Sequence, residues 1–360
     1  MKILAIETSC DETAMAVVEC SGGLNSPASG PNFKVLKSIV SSQIETHRPF
    51  GGVVPVLAKR EHIRNLPIVL KQVQGKSKNE KVKIDDVDIV AVTVGPGLEP
   101  ALWTGIDFAK ELAKRLKKPL LGANHLEGHL YSFLLTQKAT ATRSKKQATN
   151  LFPAVGLIVS GGHTILLLMN KLESWKKIGE TRDDAVGEAF DKVARMLGLP
   201  YPGGPEIERI AIDGNPNAID FPRPMIYHKN YDFSFAGLKT AVFYDTRGKK
   251  LTKKQKADTA ASFQEAAVDV LIAKTTRAAR EFNAKSVILA GGVAANTALR
   301  KRLEKECKKL GREFFVSSMK YSGDNAAMIA AAAYIRHLSA NGGSASGGKY
   351  RITAQPNLNL

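Results

Sequence analysis

Val155-Gly156-Leu157-Ile158-Val159, Ser160-Gly161-Gly162-His163-Thr164, Ile165-Leu166-Leu167-Leu168 reads as an apolar strand, a small polar turn and a returning apolar strand. The same design stands near the start of the chain. Residues 3–6 are a short apolar strand, Glu7-Thr8-Ser9-Cys10-Asp11-Glu12-Thr13 a polar turn, and residues 14–18 a second strand. An ordinary hairpin explains either one; two copies, about half a chain apart, point to an internal duplication. Each turn can offer backbone N–H groups and hydroxyls to an anion, as nest-like phosphate sites do.

Outward from the first hairpin, residues 35–41 read as a strand and 56–73 as an amphipathic helix that Pro67 should kink or interrupt. A strand at 88–94 runs into the sharp loop Gly95-Pro96-Gly97-Leu98 and a helix over about 100–116. Outward from the second, a helix over about 186–197 carries Glu188, Asp191 and Lys192. Tyr201-Pro202-Gly203-Gly204-Pro205-Glu206-Ile207-Glu208 follows, which is either a tight turn or a place where a flat ligand approaches the backbone. Phe233 to Lys239 leads into a helix, and 253–282 is a long one. The strand 286–290 then delivers Gly291-Gly292-Val293-Ala294-Ala295-Asn296 to another helix, an arrangement that places anions at a helix N-terminus. Asn296 is an N-cap or a nucleotide partner. Alternating strands and helices give an α/β layer architecture, and 360 residues suit two domains. The expected division is a first lobe over 1–137, joined by a C-terminal helix at 321–340, and a second lobe over 151–320. A basic flexible connection at 138–150 links them, and a Gly/Ser/Asn-rich tail at 341–360 is expected to be loosely ordered.

Asn124-His125-Leu126-Glu127-Gly128-His129 carries the most specific chemistry. With Asn124 as the cap, a helix puts His125 and His129 on one face about 6 Å apart along the axis, suited to one metal ion or simply to a solvated helix. In Tyr321-Ser322-Gly323-Asp324-Asn325-Ala326 an acidic residue again follows a strand and opens a helix. Asp324 is either its N-cap or the carboxylate completing a two-histidine, one-carboxylate set for Fe(II) or catalytic zinc. Glu127 stands two positions after His125, so the general base of a zinc peptidase is out of place.

The formal net charge of +18 and the pI near 9.7 suggest a polyanionic partner, nucleic acid ahead of membrane. Residues 110–118, 143–146, 249–256 and 300–312 are candidate basic patches, and the lack of interleaved aromatics argues against a single-strand stacking platform. Cys10, Cys20 and Cys307 lack metal-pair spacing, which favours a reducing compartment. No stretch is long and apolar enough to cross a bilayer and the N-terminus enters a strand directly, so a cytoplasmic location is expected.

Together these motifs resemble the TsaD family of tRNA threonylcarbamoyladenosine transferases. The likeness runs over residues 3–333 through Glu7 to Thr13, Gly51 to Pro55, Gly95 to Leu98, His125 to His129, Ser160 to Thr164, Gly187 to Lys192, Tyr201 to Pro205, Phe233 to Lys239, Gly291 to Asn296 and Asp324 to Ala326. It departs at Val56, where most relatives have glutamate, at Glu99-Pro100, and at Glu208, which is often aspartate or serine. The resemblance implies a two-lobed actin-like ATPase or sugar-kinase fold with the ligand between lobes. It also implies transfer of threonylcarbamoyl from threonylcarbamoyl-AMP to tRNA, in a cleft that ATP or ADP also fits. It makes His125, His129 and Asp324 ligands of one divalent metal, Fe2+ ahead of Zn2+. Ile158, Val159, Ser160, Gly161 and Gly162 would hold the threonylcarbamoyl part, and Asp191, Gly204, Glu208 and Asn296 the nucleoside. TsaB-like and TsaE-like helpers are implied if the source is bacterial, and a homodimer or heterodimer is a candidate state. For the transfer itself, Asp11 and Glu12 are candidate proton acceptors or merely turn formers. A metallopeptidase, a sugar kinase and a nucleotide-binding chaperone or scaffold are the rival readings.

Overall fold

A computed structural model describes residues 1–24, 30–76, 81–136, 151–341 and 350–360, so the connection expected at 138–150, with the basic patch at 143–146, lies outside the described residues. Strands β1 (Lys2–Glu7), β2 (Glu12–Ser21), β3 (Asn32–Ser42), β6 (Ile89–Gly95) and β7 (Leu120–Asn124) form one sheet in the order β3-β2-β1-β6-β7, the minor ribbon β4 (Gly75–Lys76) and β5 (Lys81–Val82) standing apart. Strands β8 (Ala154–Val159), β9 (Thr164–Lys171), β10 (Ser174–Glu180), β11 (Ser286–Ala290) and β12 (Glu313–Val316) form the other, in the order β10-β9-β8-β11-β12. In each sheet the first three strands pair antiparallel and the rest parallel. The two hairpins thus occupy equivalent places, β1-β2 in one sheet and β8-β9 in the other.

Side-chain alternation explains the layering, because successive residues of a strand face opposite sides. Ile3 and Ala5 of β1 and Ile158 of β8 belong to a central core shared by both sheets, whereas Leu4, Ile6 and Val159 face outer cores. The first sheet is covered outside by the helices Pro55–Val73 and Glu99–Leu116, the second by Val186–Met196 and Lys253–Glu281. The helices His125–Tyr131 and Ala326–Asn341 contribute to the central core between them. The Pro55–Val73 helix runs through Pro67 without interruption. Pro67 is exposed, so water can satisfy the carbonyl one turn earlier that loses its N–H partner.

Gly291, just after β11, has φ +92°, and a Cβ there would lie 2.2 Å from the Val159 carbonyl oxygen. The backbone therefore crosses the end of β8 at a distance only glycine permits. Gly291→Ala is expected to cost about 2 kcal/mol or more and to lower the midpoint of thermal unfolding. A wild-type melting curve would contradict this close approach.

Candidate active site

β7 ends in Asn124, whose Oδ1 accepts from the N–H of Leu126 at 2.8 Å and of Glu127 at 3.4 Å, capping the His125–Tyr131 helix. The cap sets His125 and His129 one turn apart with ring centroids 4.7 Å from each other. Asn325 performs the same service for the Ala326–Asn341 helix, accepting from Met328 N–H at 3.1 Å. Asp324 is therefore not the cap. Its Oδ1 lies 3.0 Å from His129 Nε2 and 3.5 Å from His125 Nε2.

One ligand atom from each of the three residues falls within 4.8 Å of the others. Two ligands bound at about 2.0–2.1 Å in tetrahedral geometry stand roughly 3.4 Å apart, so one ion fits this set. His129 is fully buried, and neither ring nitrogen has an aligned hydrogen-bond partner among the described residues. A buried imidazole left so is under-satisfied by protein alone, which favours a ligand role. Glu7, which the motif reading did not pick out, completes the arrangement. Its Oε2 is 3.2 Å from His125 Nδ1 and accepts from Thr93 Oγ1 at 2.6 Å, while its Oε1 accepts from Ser9 N–H. A carboxylate on Nδ1 orients the ring and leaves Nε2 for a metal.

The electrostatics agree. Burial alone would raise the Glu7 pKa, but the His125 charge outweighs it and lowers it. Burial would likewise lower His125, yet Asp324 and Glu7 carry it up to about 9. Asp324, against its own desolvation, is pulled down to about 2, chiefly by His125. Two carboxylates that draw a proton onto an imidazole create a field in which a divalent cation can take that proton's place.

Glu127 has a different task. Its Oε1 accepts from Arg336 Nη2 on the last helix and from Tyr350 Oη, the latter at 2.8 Å. Tyr350 belongs to the tail, which composition suggested is loosely ordered. Residues 350–360 are instead pinned to the first sheet. Gln355 N–H donates to Val94 O at 2.7 Å, Gly97 N–H to Pro356 O at 3.2 Å, and Asn124 Nδ2 to Asn359 O at 3.2 Å. Of the tail expected at 341–360, residues 342–349 lie outside the described residues; 350–360 are held both by this backbone pairing and by Tyr350, Ile352, Ala354 and Leu358 packed on the outer core.

In the second half, Ser160 closes its turn by donating N–H to His163 O at 2.8 Å and accepting from His163 N–H on Oγ at 3.1 Å. Gly161 and Gly162 are exposed, with open space where side chains would be. Ile158 and Val159 are wholly buried strand residues in opposite cores, so they support the turn rather than line it. Burial, and the charges of His125 and His129 across the cleft, lower His163 to about 4. Asp191 accepts from Gly203 N–H at 2.7 Å, and its pKa is raised by burial. Gly204, in the first turn of the Gly203–Ala211 helix, has open space above it. Glu208 accepts from Thr297 N–H at 2.7 Å, and Asn296 caps the Thr297–Lys309 helix through Leu299 N–H while donating to Gln264 Oε1. Glu12 is pushed well up by burial and by the like charges of Asp11 and Asp324, which places the first turn beside the histidine centre. At the outer rim, Arg48 Nε donates to Tyr201 O and Arg195 to Gly51 O, tying the halves together beside a cavity of about 390 Å³ lined by Ser42, Arg48, Tyr201 and Pro205.

Paired sheets of matching strand order, with a two-histidine, one-carboxylate centre and a glycine turn facing each other, define a two-lobed α/β enzyme of the actin and sugar-kinase architecture. The solved structure of HypF from T. kodakarensis superposes with a TM-score of 0.56 over 95% of this chain and 48% of its own, at 15% identity, which bears on fold alone. A family model described as TsaD, tRNA N6-adenosine threonylcarbamoyltransferase, matches residues 34–331. The protein of that name from Thermosipho melanesiensis is 48% identical over the full length of both chains, and that from Moorella thermoacetica 46% identical over 93% of this chain and 92% of its own. The chain belongs to the TsaD family.

Glu127→Ala would take the carboxylate from the half-buried Arg336 guanidinium, leaving it Tyr350, and is expected to destabilise the fold by about 1.5–3 kcal/mol in denaturant titration. Full stability in this variant, with activity lost, would instead make Glu127 a catalytic base.

Proposed function

We propose that this chain moves the threonylcarbamoyl group from threonylcarbamoyl-AMP to the exocyclic amine of the adenosine next to the anticodon, in tRNAs that read codons beginning with A. Family membership defines the reaction class; the observation that carries the site is the convergence of His125, His129 and Asp324 opposite the Ser160–His163 turn. A divalent ion held by those three residues, Fe2+ ahead of Zn2+, would supply Lewis-acid polarisation and an anchor for the adenylate.

The amine nitrogen forms a bond to the carbamoyl carbon, the bond from that carbon to the phosphate oxygen breaks, and AMP leaves with its electron pair. The exposed backbone of Gly161 and Gly162 and the ring of His163 would donate to the oxygen on which charge develops. Asp191, Gly204, Glu208 and Asn296 would hold the nucleoside, in a cleft that would also take ATP or ADP. The proton released by the amine goes to the Asp11–Glu12 pair. Asp11 is the proposed acceptor, since Glu12 holds its own proton well above the ordinary carboxylate range. No helix among the described residues is long and apolar enough to cross a membrane. The proposal extends to a cytoplasmic setting, to TsaB-like and TsaE-like helpers, and to a homodimer or heterodimer as the working state.

Incubation with threonine, bicarbonate, ATP, unmodified tRNA and the enzyme that makes the adenylate should yield threonylcarbamoyladenosine by nucleoside mass spectrometry; cleavage of protein substrates with no tRNA product would favour the peptidase. His129→Ala and Asp324→Ala should each lose both bound metal and product, and an active metal-free variant would remove the metal from the account. Asp11→Asn should slow transfer by about 100-fold or more. Undiminished rates in both Asp11→Asn and Glu12→Gln would dismiss the pair.

A further inference from the structure

The helix Ala236–Thr246 and the loop after it present a surface that none of the chemistry above uses. Positions 237, 240, 243, 244 and 247 are exposed at the i, i+3, i+4 spacing of one helix face, continuing into Lys249 and Lys250. Tyr244 is 68% exposed and Phe243 40%, rings that a solvated face does not need. They meet edge-on with centroids 5.6 Å apart, and the Arg247 guanidinium lies 5.7 Å from the Phe243 centroid. Lys249 pairs with Asp245 at 3.2 Å, whereas among the described residues neither Arg247 nor Lys250 forms an ion pair. Cations interleaved with exposed rings are the composition of a nucleic-acid contact. The aromatics that sequence reading found missing from the 249–256 patch come from the helix before it.

The face is also tied to the transfer site. Asp183 Oδ1 accepts from the N–H groups of Phe235 and Ala236 at the start of the helix, at 2.8 and 3.2 Å. Asp184 is gripped by Lys239 at 2.6 Å and by Lys192 at 2.8 Å. Two residues on, the Val186–Met196 helix begins, and Gly187 N–H donates to Ser160 O. We propose that the face formed by Phe243, Tyr244, Arg247 and Lys250 is a docking surface for the tRNA substrate, Tyr244 and Phe243 stacking on unpaired bases and the cations meeting backbone phosphates. The proposal rests on tRNA being the substrate, and the formal net charge of +18 makes the chain complementary to it.

The test is equilibrium binding of unmodified tRNA to the full chain at several salt concentrations, for wild type, Tyr244→Ala and the double variant Arg247→Gln/Lys250→Gln. All three positions are exposed, and matching melting curves would verify the fold. Tyr244→Ala is expected to weaken binding about tenfold, and the double variant to reduce the slope of log affinity against log salt by about 2. In turnover, KM for tRNA should rise while kcat at saturating tRNA stays at the wild-type value. Wild-type affinity and salt slope in both variants would overturn the proposal; if a helper protein's binding were lost instead, the face would belong to that protein. Because affinity is read without turnover, failure of the transfer chemistry would leave this result standing.

Discussion

The structure depends on how closely the Ala326–Asn341 helix can approach the first sheet. Alanines 326, 327 and 330 to 333 are completely buried, and the helix lies against β1, β2 and β7 and against the His125–Tyr131 helix. At the crossing with the latter, a Cβ on Gly128 would stand 3.0 Å from Met328 Cγ and 3.1 Å from Ile329 Cδ1, so the glycine makes room for these two side chains and sets the separation. That separation brings Asp324 to His125 and His129 across 199 and 195 residues of intervening sequence numbering, 324 − 125 and 324 − 129. Larger residues on the alanine face would move the carboxylate away from the imidazoles while leaving every motif intact.

Charge is handled in two adjoining buried networks with opposite designs. Around the histidines, Glu7 and Asp324 face two imidazoles, a donor set compatible with one divalent ion. Midway between the two histidines on the same helix, Glu127 is closed off by Arg336 and Tyr350 and needs nothing more. Both carboxyl sets contact a short helix of seven residues, whose N-terminal end is fixed by Asn124 and, through it, by the tail. The terminal segment thereby belongs to the support of the centre even though it lies outside the stretch matched by the family model.

Much of this was legible in the order of residues. Strand and turn alternation showed the two hairpins, and the His-x-x-x-His spacing with a distant aspartate showed the centre, because both depend on local periodicity. What stayed hidden depends on partners remote in the chain. Glu7 reads as the first residue of a polar turn, and only the β1–β6–β7 pairing shows it beneath His125. The 350–360 segment alternates Tyr350, Ile352, Ala354, Leu358 and Leu360 with polar residues, but its Gly/Ser/Asn-rich setting hides that these side chains pack on the cores while the backbone pairs with the first sheet. Asp324 and Asn325 are both good caps; tertiary geometry alone decided that the asparagine caps and the aspartate turns to the histidines.

The central claim is that one cation is held by residues drawn from two separated segments, with imidazole nitrogen and carboxylate oxygen in the same shell. X-ray absorption spectroscopy at the metal edge of the purified, metal-loaded protein tests it most directly. The account predicts two imidazole scattering patterns and light-atom neighbours at about 2.0–2.2 Å, with no sulfur shell. Thiolate scattering near 2.3 Å, or a shell without imidazole, would contradict it.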